Sequence, residues 1–427
     1  MKKFRSHKGG LLGLGVMLVC LCPRLGYSVT VGSSVETESA AATTVITREQ
    51  IEQTDTGTGI FSRLPFHVSV SARGGYDDNV FTSDVVRMES WFTNFGAAAT
   101  YEFGSPRTQL SLGVGGGATY YFDRPGDDFD PNVYLNLSLT HKASPRLTFA
   151  AQVYATYQAE PDFSLALGLN RRSGNFFYTQ DKFTATYLWT PRFATATSYT
   201  LGAVRYDDNE TAFFEDRFEN TFGNEFRFLL WPTTTVVAEY RFQMISYDDI
   251  DRDSGTHFFL GGFDHTFNPR FNASFRGGVE YRDYCNNDLG NDQTAPYFEA
   301  TLNYAIGKTT TVAWTNRYAI EEPDVLLNPS RTTFRTGLRA KHDFTPRISG
   351  TLGAYYQHDT YDDVNTLMVM SPGFDEDSFD VAVTARYAVT RIFAIEAGYN
   401  HTEVMSDAAL FRDYSRNRVW AGVNLAF

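Results

Sequence analysis

Cysteine is scarce: only Cys20, Cys22 and Cys285 occur among 427 residues. The first two lie in what reads as a leader, so the mature chain keeps Cys285 alone and no internal disulfide is possible. Neither leader cysteine follows the small residue of a lipoprotein signal, which argues against a lipid anchor. Long apolar runs are absent after the leader. Nothing there approaches the roughly 20 residues that a membrane helix needs, which excludes a helical membrane protein. Basic charge is in short supply as well. The formal charge of −13 becomes −18 once the basic leader residues Lys2, Lys3, Arg5, Lys8 and Arg24 are removed, so nucleic acid is a poor partner. No Gly-x-Ser-x-Gly elbow is present, the histidines are scattered, and no acidic stretch has EF-hand spacing. His358 and Asp359, with Asp362 and Asp363, are the one place where a His–carboxylate pair could activate water. Catalysis, a bound metal and a cofactor are therefore not expected.

What the chain does contain is a recurring turn. Gly104-Ser105-Pro106-Arg107, Ala143-Ser144-Pro145-Arg146, Trp189-Thr190-Pro191-Arg192, Phe267-Asn268-Pro269-Arg270 and Phe344-Thr345-Pro346-Arg347 share one pattern. Leu230-Trp231-Pro232-Thr233, Ile306-Gly307-Lys308-Thr309 and Val389-Thr390-Arg391-Ile392 complete the series. The spacing is about 40 residues, and each turn separates two stretches of alternating apolar and polar residues, the signature of repeated hairpins. Proline suits such turns because its φ is fixed and it cannot continue a strand. One strand before the first turn, two per interval and a closing strand give about 18 strands, with 16 as the alternative. A propeller needs about four strands per repeat, and only two fit here. The expected fold is an all-β, antiparallel, up-and-down transmembrane barrel over residues 64–427.

The ends of the chain fit an exported protein. Basic residues followed by the apolar stretch Leu11 to Cys22, then Gly26-Tyr27-Ser28, read as a signal peptide cleaved after Ser28. Residues 29–63 carry no alternation and read as a periplasmic lead-in, with room for one short helix near Thr47 and Gln50. Opposite the tight turns lie acidic stretches expected to be extracellular loops: Tyr76-Asp77-Asp78-Asn79, Asp127-Asp128-Phe129-Asp130, Tyr206-Asp207-Asp208-Asn209, Tyr247-Asp248-Asp249, Asn286-Asn287-Asp288 and Tyr361-Asp362-Asp363.

Alternation assigns faces. Ile348, Leu352 and Tyr356 share one face, and Ser349, Tyr355 and Gln357 the other. Likewise Phe275, Val279 and Tyr281 alternate with Arg276, Glu280 and Arg282, and Ile395 and Tyr399 with Glu396 and Asn400. A charge facing lipid near the midplane costs about 2–4 kcal/mol, so the charged set should point inward. The pore-lining candidates are Arg73, Arg227, Glu239, Arg241, Arg276, Glu280, Arg282, Arg317, Arg335, Arg339, Lys341, Arg386, Glu396 and Arg418, joined by Glu225. Arginine dominates this set. Such arginines either select anions, as charged rings do, or pair with glutamates across strands and stiffen the wall. For Arg317, Arg335, Arg339, Lys341, Arg386 and Arg418 fewer acidic neighbours are visible.

The closing stretch Val419-Trp420-Ala421-Gly422-Val423-Asn424-Leu425-Ala426-Phe427 resembles the last strand of Gram-negative outer-membrane barrels, with Val423, Leu425 and Phe427 as the barrel-assembly signal. Together with Gly75-Tyr76-Asp77-Asp78-Asn79-Val80-Phe81, it makes the chain similar to the beta-barrel porin 2 family. The resemblance implies an outer-membrane location, contact with lipid, lipopolysaccharide and the barrel-assembly machinery, and relatives associated with exopolysaccharide export. The expected function is passive diffusion of small hydrophilic solutes through an arginine-rich lumen behind acidic loops. A conduit for polysaccharide, with Tyr355 and Trp420 in its path, and a closed structural barrel are the alternatives.

Overall fold

The computed structural model describes residues 66–126, 128–160, 174–285, 292–325, 328–365, 370–408 and 412–427. The signal peptide, the lead-in and the stretch Asn286-Asn287-Asp288 lie outside the described residues, as does Asp127.

Every stretch that alternates in sequence is a strand. The first half of the meander is β1 (Phe66–Asp77), β2 (Ser90–Gly104), β3 (Thr108–Tyr121), β4 (Phe129–Lys142), β5 (Leu147–Gln158), β6 (Phe176–Thr190), β7 (Phe193–Tyr206), β8 (Arg217–Trp231) and β9 (Thr234–Tyr247). The second half is β10 (Ser254–Asn268), β11 (Phe271–Tyr284), β12 (Gln293–Ile306), β13 (Thr310–Glu321), β14 (Arg331–Thr345), β15 (Ile348–Tyr361), β18 (Phe374–Ala388), β19 (Phe393–Ser406) and β20 (Tyr414–Ala426). The two-residue strands β16 (Val364–Asn365) and β17 (Met370–Ser371) form a small hairpin within one loop. A helix of seven residues, α1 (Asn209–Glu215), sits in another and is capped by the Asp208 carboxylate.

Each long strand pairs antiparallel with the next, and β20 pairs with β1, so the 18-stranded sheet closes on itself. Closure is in register: Val70 faces Leu425, Ala72 faces Val423, and the Phe427 amide donates to the Val68 carbonyl at 2.7 Å. No edge is left to pair with another chain.

All eight tight turns lie at one end, beside the start of β1 and the end of β20. Their sequence pattern has a mechanism. The hydroxyl of Ser105, Ser144, Thr190, Thr345 or Thr390 accepts the backbone N–H three residues on, at 2.9–3.1 Å, while proline or a similar residue follows in the bend. Where proline and hydroxyl are both missing, Gly307 takes φ +70°, a conformation that glycine tolerates best. In outer-membrane barrels the tight turns face the periplasm.

Faces follow the predicted parity. Ile348, Leu352, Phe275, Val279, Ile395 and Tyr399 are exposed on the outside, whereas Tyr355, Gln357, Arg276, Glu280, Arg282, Glu396 and Asn400 are buried inside. Exposed Trp189, Trp231, Phe103, Phe267 and Phe344 ring the turn end, and Trp91, Phe122, Phe129, Phe177 and Phe218 ring the loop end. Two aromatic belts bracketing an apolar band are what a bilayer selects. Near the loop end Asp283, Asp377 and Glu403 face outward; further into the apolar band, one carboxylate also breaks the rule that charges point inward. Asp181, within β6, lies on the outer face between Val153 and Leu201 of its neighbours, with only the Thr179 hydroxyl donating to it at 3.0 Å.

Candidate functional site

The inner wall and its loop-end mouth hold the charged residues, and the strand pleat brings every second one to the lumen. At the β1–β20 seam, Arg73 meets Glu396 at 2.7 Å and lies 3.9 Å over the ring of Trp420. Arg386 approaches the same Glu396 at 3.4 Å. In the next layer toward the mouth, Asp77 receives Arg416 at 2.5 Å and Arg418 at 3.1 Å. Across the lumen, Arg241 bridges Glu239 and Glu299, the latter at 2.7 Å, and donates to the Tyr297 hydroxyl at 3.0 Å. Arg227 pairs with Glu225 at 2.6 Å, and Arg276 with Asp264 at 2.9 Å. Arg317 and Arg335 both reach Glu321 at 3.5 Å, Arg335 also donates to Gln357 at 2.7 Å, and Arg339 to the Tyr355 hydroxyl at 3.4 Å. Lys341 shares their face of β14.

These contacts correct the expectation that arginine outweighs its partners. Arg317, Arg335, Arg386 and Arg418, which looked poor in acidic neighbours, each have a carboxylate within 4 Å. The partners were hidden for two reasons. Asp77 read as a loop residue, yet it is the last residue of β1 and fully buried. Glu299, Glu321, Asp359, Glu376 and Asp380 point inward on strands, where parity alone would have found them, as it would Arg331, Arg416 and Lys182. Asp130 was likewise assigned to a loop and is instead a buried β4 residue paired with Arg124 at 2.9 Å. Trp420 offers no open ring face for a sugar: Arg73 covers one side, and a Cβ at Gly398 would come within 2.4 Å of the ring on the wall side.

Loop residues complete the mouth, and these have no periodicity to betray them. Glu160, just after β5, meets Arg416 of β20 at 2.7 Å and accepts from Tyr121 at 2.9 Å. Five strand intervals separate β5 from β20, about 24 Å along the wall at about 4.8 Å each, so this segment cuts inward across the mouth. Glu322, after β13, meets Arg282 of β11 at 2.6 Å and accepts from Tyr247 of β9. Asp324 reaches Arg412, in the β19–β20 loop, at 3.0 Å, and Arg412 binds Glu376 at 2.8 Å. Arg331, completely buried, lies between Asp359 at 3.2 Å and Asp324 at 3.9 Å.

Two loop carboxylates in this network titrate in opposite directions for a visible reason. Both are buried, which disfavours charge. Glu322 has Arg282 at 2.6 Å, and Arg282, Arg252 and Arg217 hold its carboxyl below the usual range against that burial. Glu215, at the end of α1, has Arg217 and Arg252 only at 3.5 Å, and burial pushes it up to about 7.

His358 and Asp359 do not form a dyad. Neighbours in a strand face opposite ways: His358 points outward to Asp377 at 2.9 Å, and Asp359 inward to Arg331. Among the described residues no group of three or more His, Cys, Asp and Glu side chains is placed to hold a metal ion.

The profile of the family described as Putative beta-barrel porin 2 matches residues 65–427. No curated protein matches the chain. Among solved structures, the chain is similar to Acinetobacter baumannii OccAB4, with 12% identity, TM-score 0.43, and 86% of this chain and 100% of that chain covered. It is also similar to the outer membrane protein opdK of Pseudomonas aeruginosa, with 13% identity, TM-score 0.44, and 85% and 99% covered. Pseudomonas aeruginosa OccK5 (OpdH) gives 13% identity and TM-score 0.44, with 85% and 98% covered. Likeness at this level carries no information on solutes.

Proposed function

The chain belongs to the Putative beta-barrel porin 2 family, and from that premise, as an outer-membrane β-barrel, we propose that it is a passive diffusion channel for small hydrophilic solutes. The observation that carries this reading is the strand number. Eighteen strands enclose an interior wider than wall side chains alone fill, and barrels of 16–18 strands keep an aqueous lumen. The inward residues are charged or polar and the outward ones apolar, the arrangement that water inside and lipid outside require. The candidates from Arg73 to Arg418 line this path in our reading, as mutually paired wall charges that set a mild field instead of a ring of free cations. The outward Val423, Leu425 and Phe427 are proposed as the signal read by the barrel-assembly machinery, and the aromatic belts as the contact with lipid and lipopolysaccharide.

A second reading is favoured by one observation. Glu160 and Glu322 draw their segments inward at the mouth, which suits a gated or structural barrel, or a polysaccharide conduit opened by a partner. Single-channel recording of the refolded mature protein under a salt gradient separates these. Large, steady conductance steps support the open channel, and silence from folded protein would transfer support to the gated readings.

A further inference from the structure

The charges of the inner wall are not spread evenly around it. On β2 to β5, the inward residues between Asp130 at the mouth and Glu102 and Lys142 at the turn end carry no charge at all. They are amides, hydroxyls and small residues, such as Asn94, Thr119, Asn132, Asn136, Ser138 and Gln152. The opposite arc, β8 to β15, carries the Arg–carboxylate lattice of Arg227–Glu225, Arg241–Glu299, Arg276–Asp264 and Arg331–Asp359.

Volume is distributed in the same way. Long guanidinium and carboxylate side chains reach inward from the charged arc. On the neutral arc small residues stand opposite one another in register, Gly96 beside Gly117 and Ala98 beside Gly115. The wall therefore recedes there, and a recess is lined by Ser69, Ser71, Asn94, Gly96, Asn132 and Tyr134. Tyr134 does not close it. A Cβ on Gly115 would lie within 2.4–2.5 Å of the Tyr134 ring and hydroxyl oxygen, so the glycine lets that ring lie flat along the wall instead of across the lumen.

We propose that solute passes along the β2–β5 arc, off the barrel axis, and that this arc is a track for uncharged, hydroxyl-rich solutes such as small sugars. The inference rests on the diffusion-channel reading and names its substrate class. Side-chain amides and hydroxyls both donate and accept, so they exchange hydrogen bonds with successive sugar hydroxyls as these leave water. An ion on the same arc meets no counter-charge and loses hydration without return. The charged arc cannot compensate, because the guanidinium groups of Arg227, Arg241, Arg276 and Arg331 are already engaged by carboxylates.

The test is swelling of liposomes containing the full mature protein in isosmotic glucose, gluconate or glucosamine, which match in size and differ in charge. Glucose is expected to enter at least threefold faster than either ion. Ser138→Trp, on the neutral arc, should cut glucose entry severalfold, while Ala313→Trp, on the far arc, should leave it within twofold. Equal rates for the three solutes overturn the solute class, and this arm needs no variant. Equal loss in the two tryptophan variants, each shown to be folded by its heat-shifted gel mobility, overturns the off-axis path. No swelling in any solute, together with no ion current, would remove the channel reading itself, a failure distinct from the other two.

Discussion

Glu215 should make the outer end of this barrel weaken as pH rises. Its carboxyl is raised from 4.5 to about 7 by burial, with Arg252 and Arg217 offsetting only part. Below the unfolded value both states hold the proton and the contribution to stability is complete. Between about 4.5 and about 7 the folded state keeps a proton that the unfolded state has lost, so stability falls as pH rises, by about 1.4 kcal/mol per unit. The full loss is on the order of 3 kcal/mol, complete above about pH 8. Going from pH 5.5 to 8 covers about two-thirds of it, about 2 kcal/mol. Charged Glu215 would still face Arg217 and Arg252, but at 3.5 Å, with Glu322 and Asp324 nearby raising the cost of charge further. The assay is the urea midpoint for unfolding from lipid vesicles at both pH values, for the native chain and for Glu215→Gln. Other groups contribute equally to both proteins, so the difference isolates Glu215: the variant should lose about 2 kcal/mol less on going to pH 8. An equal or larger fall in the variant would refute the argument.

Three further outcomes are expected. Arg282→Met strands Glu322, whose partner lies 2.6 Å away with both side chains at 5% exposure or less; it should cost about 3–5 kcal/mol in the same urea assay, with partial recovery on adding Glu322→Gln. Arg335→Glu with Arg339→Glu should shift the reversal potential in a salt gradient towards cations, and an unchanged potential would show that the neighbouring wall charges fully compensate. Asp181→Leu should raise the unfolding free energy in the urea assay by about 1 kcal/mol, because a carboxylate on the lipid face is unfavourable, whereas a lower value would show that something covers that face.

Much of this architecture was legible in the chain, because its determinants are local. The turns were readable since a hydroxyl and a fixed φ act within four residues in the four Ser/Thr-Pro-Arg turns, and the roughly 40-residue spacing located the other four; all eight mark real hairpins. Lumen parity was readable for the same kind of reason: the pleat alternates faces whatever the strand pairs with, so Arg276, Glu280 and Arg282 came out inward from their spacing alone. Asp181 shows the limit of the expectation that charges turn inward: the pleat holds it on the outer face between Val153 and Leu201, against the preference of lipid. Strand ends were misjudged at Asp77 and Asp130, since each belongs to a run of aspartates, Asp77-Asp78 and Asp127-Asp128-Phe129-Asp130, which reads as a polar loop until the pairing register shows that the ladder reaches it.

The sequence by itself determined the strand number, the faces and the end at which the tight turns lie, all set by interactions within one hairpin. Only the tertiary structure decided which charges neutralise which. Arg416 meets Glu160 across 256 positions, and Arg412 meets Asp324 across 88, distances over which no periodicity carries information. Closing the barrel is what brings such residues together, and it also gathers the uncharged strands into one arc and the charged strands into another.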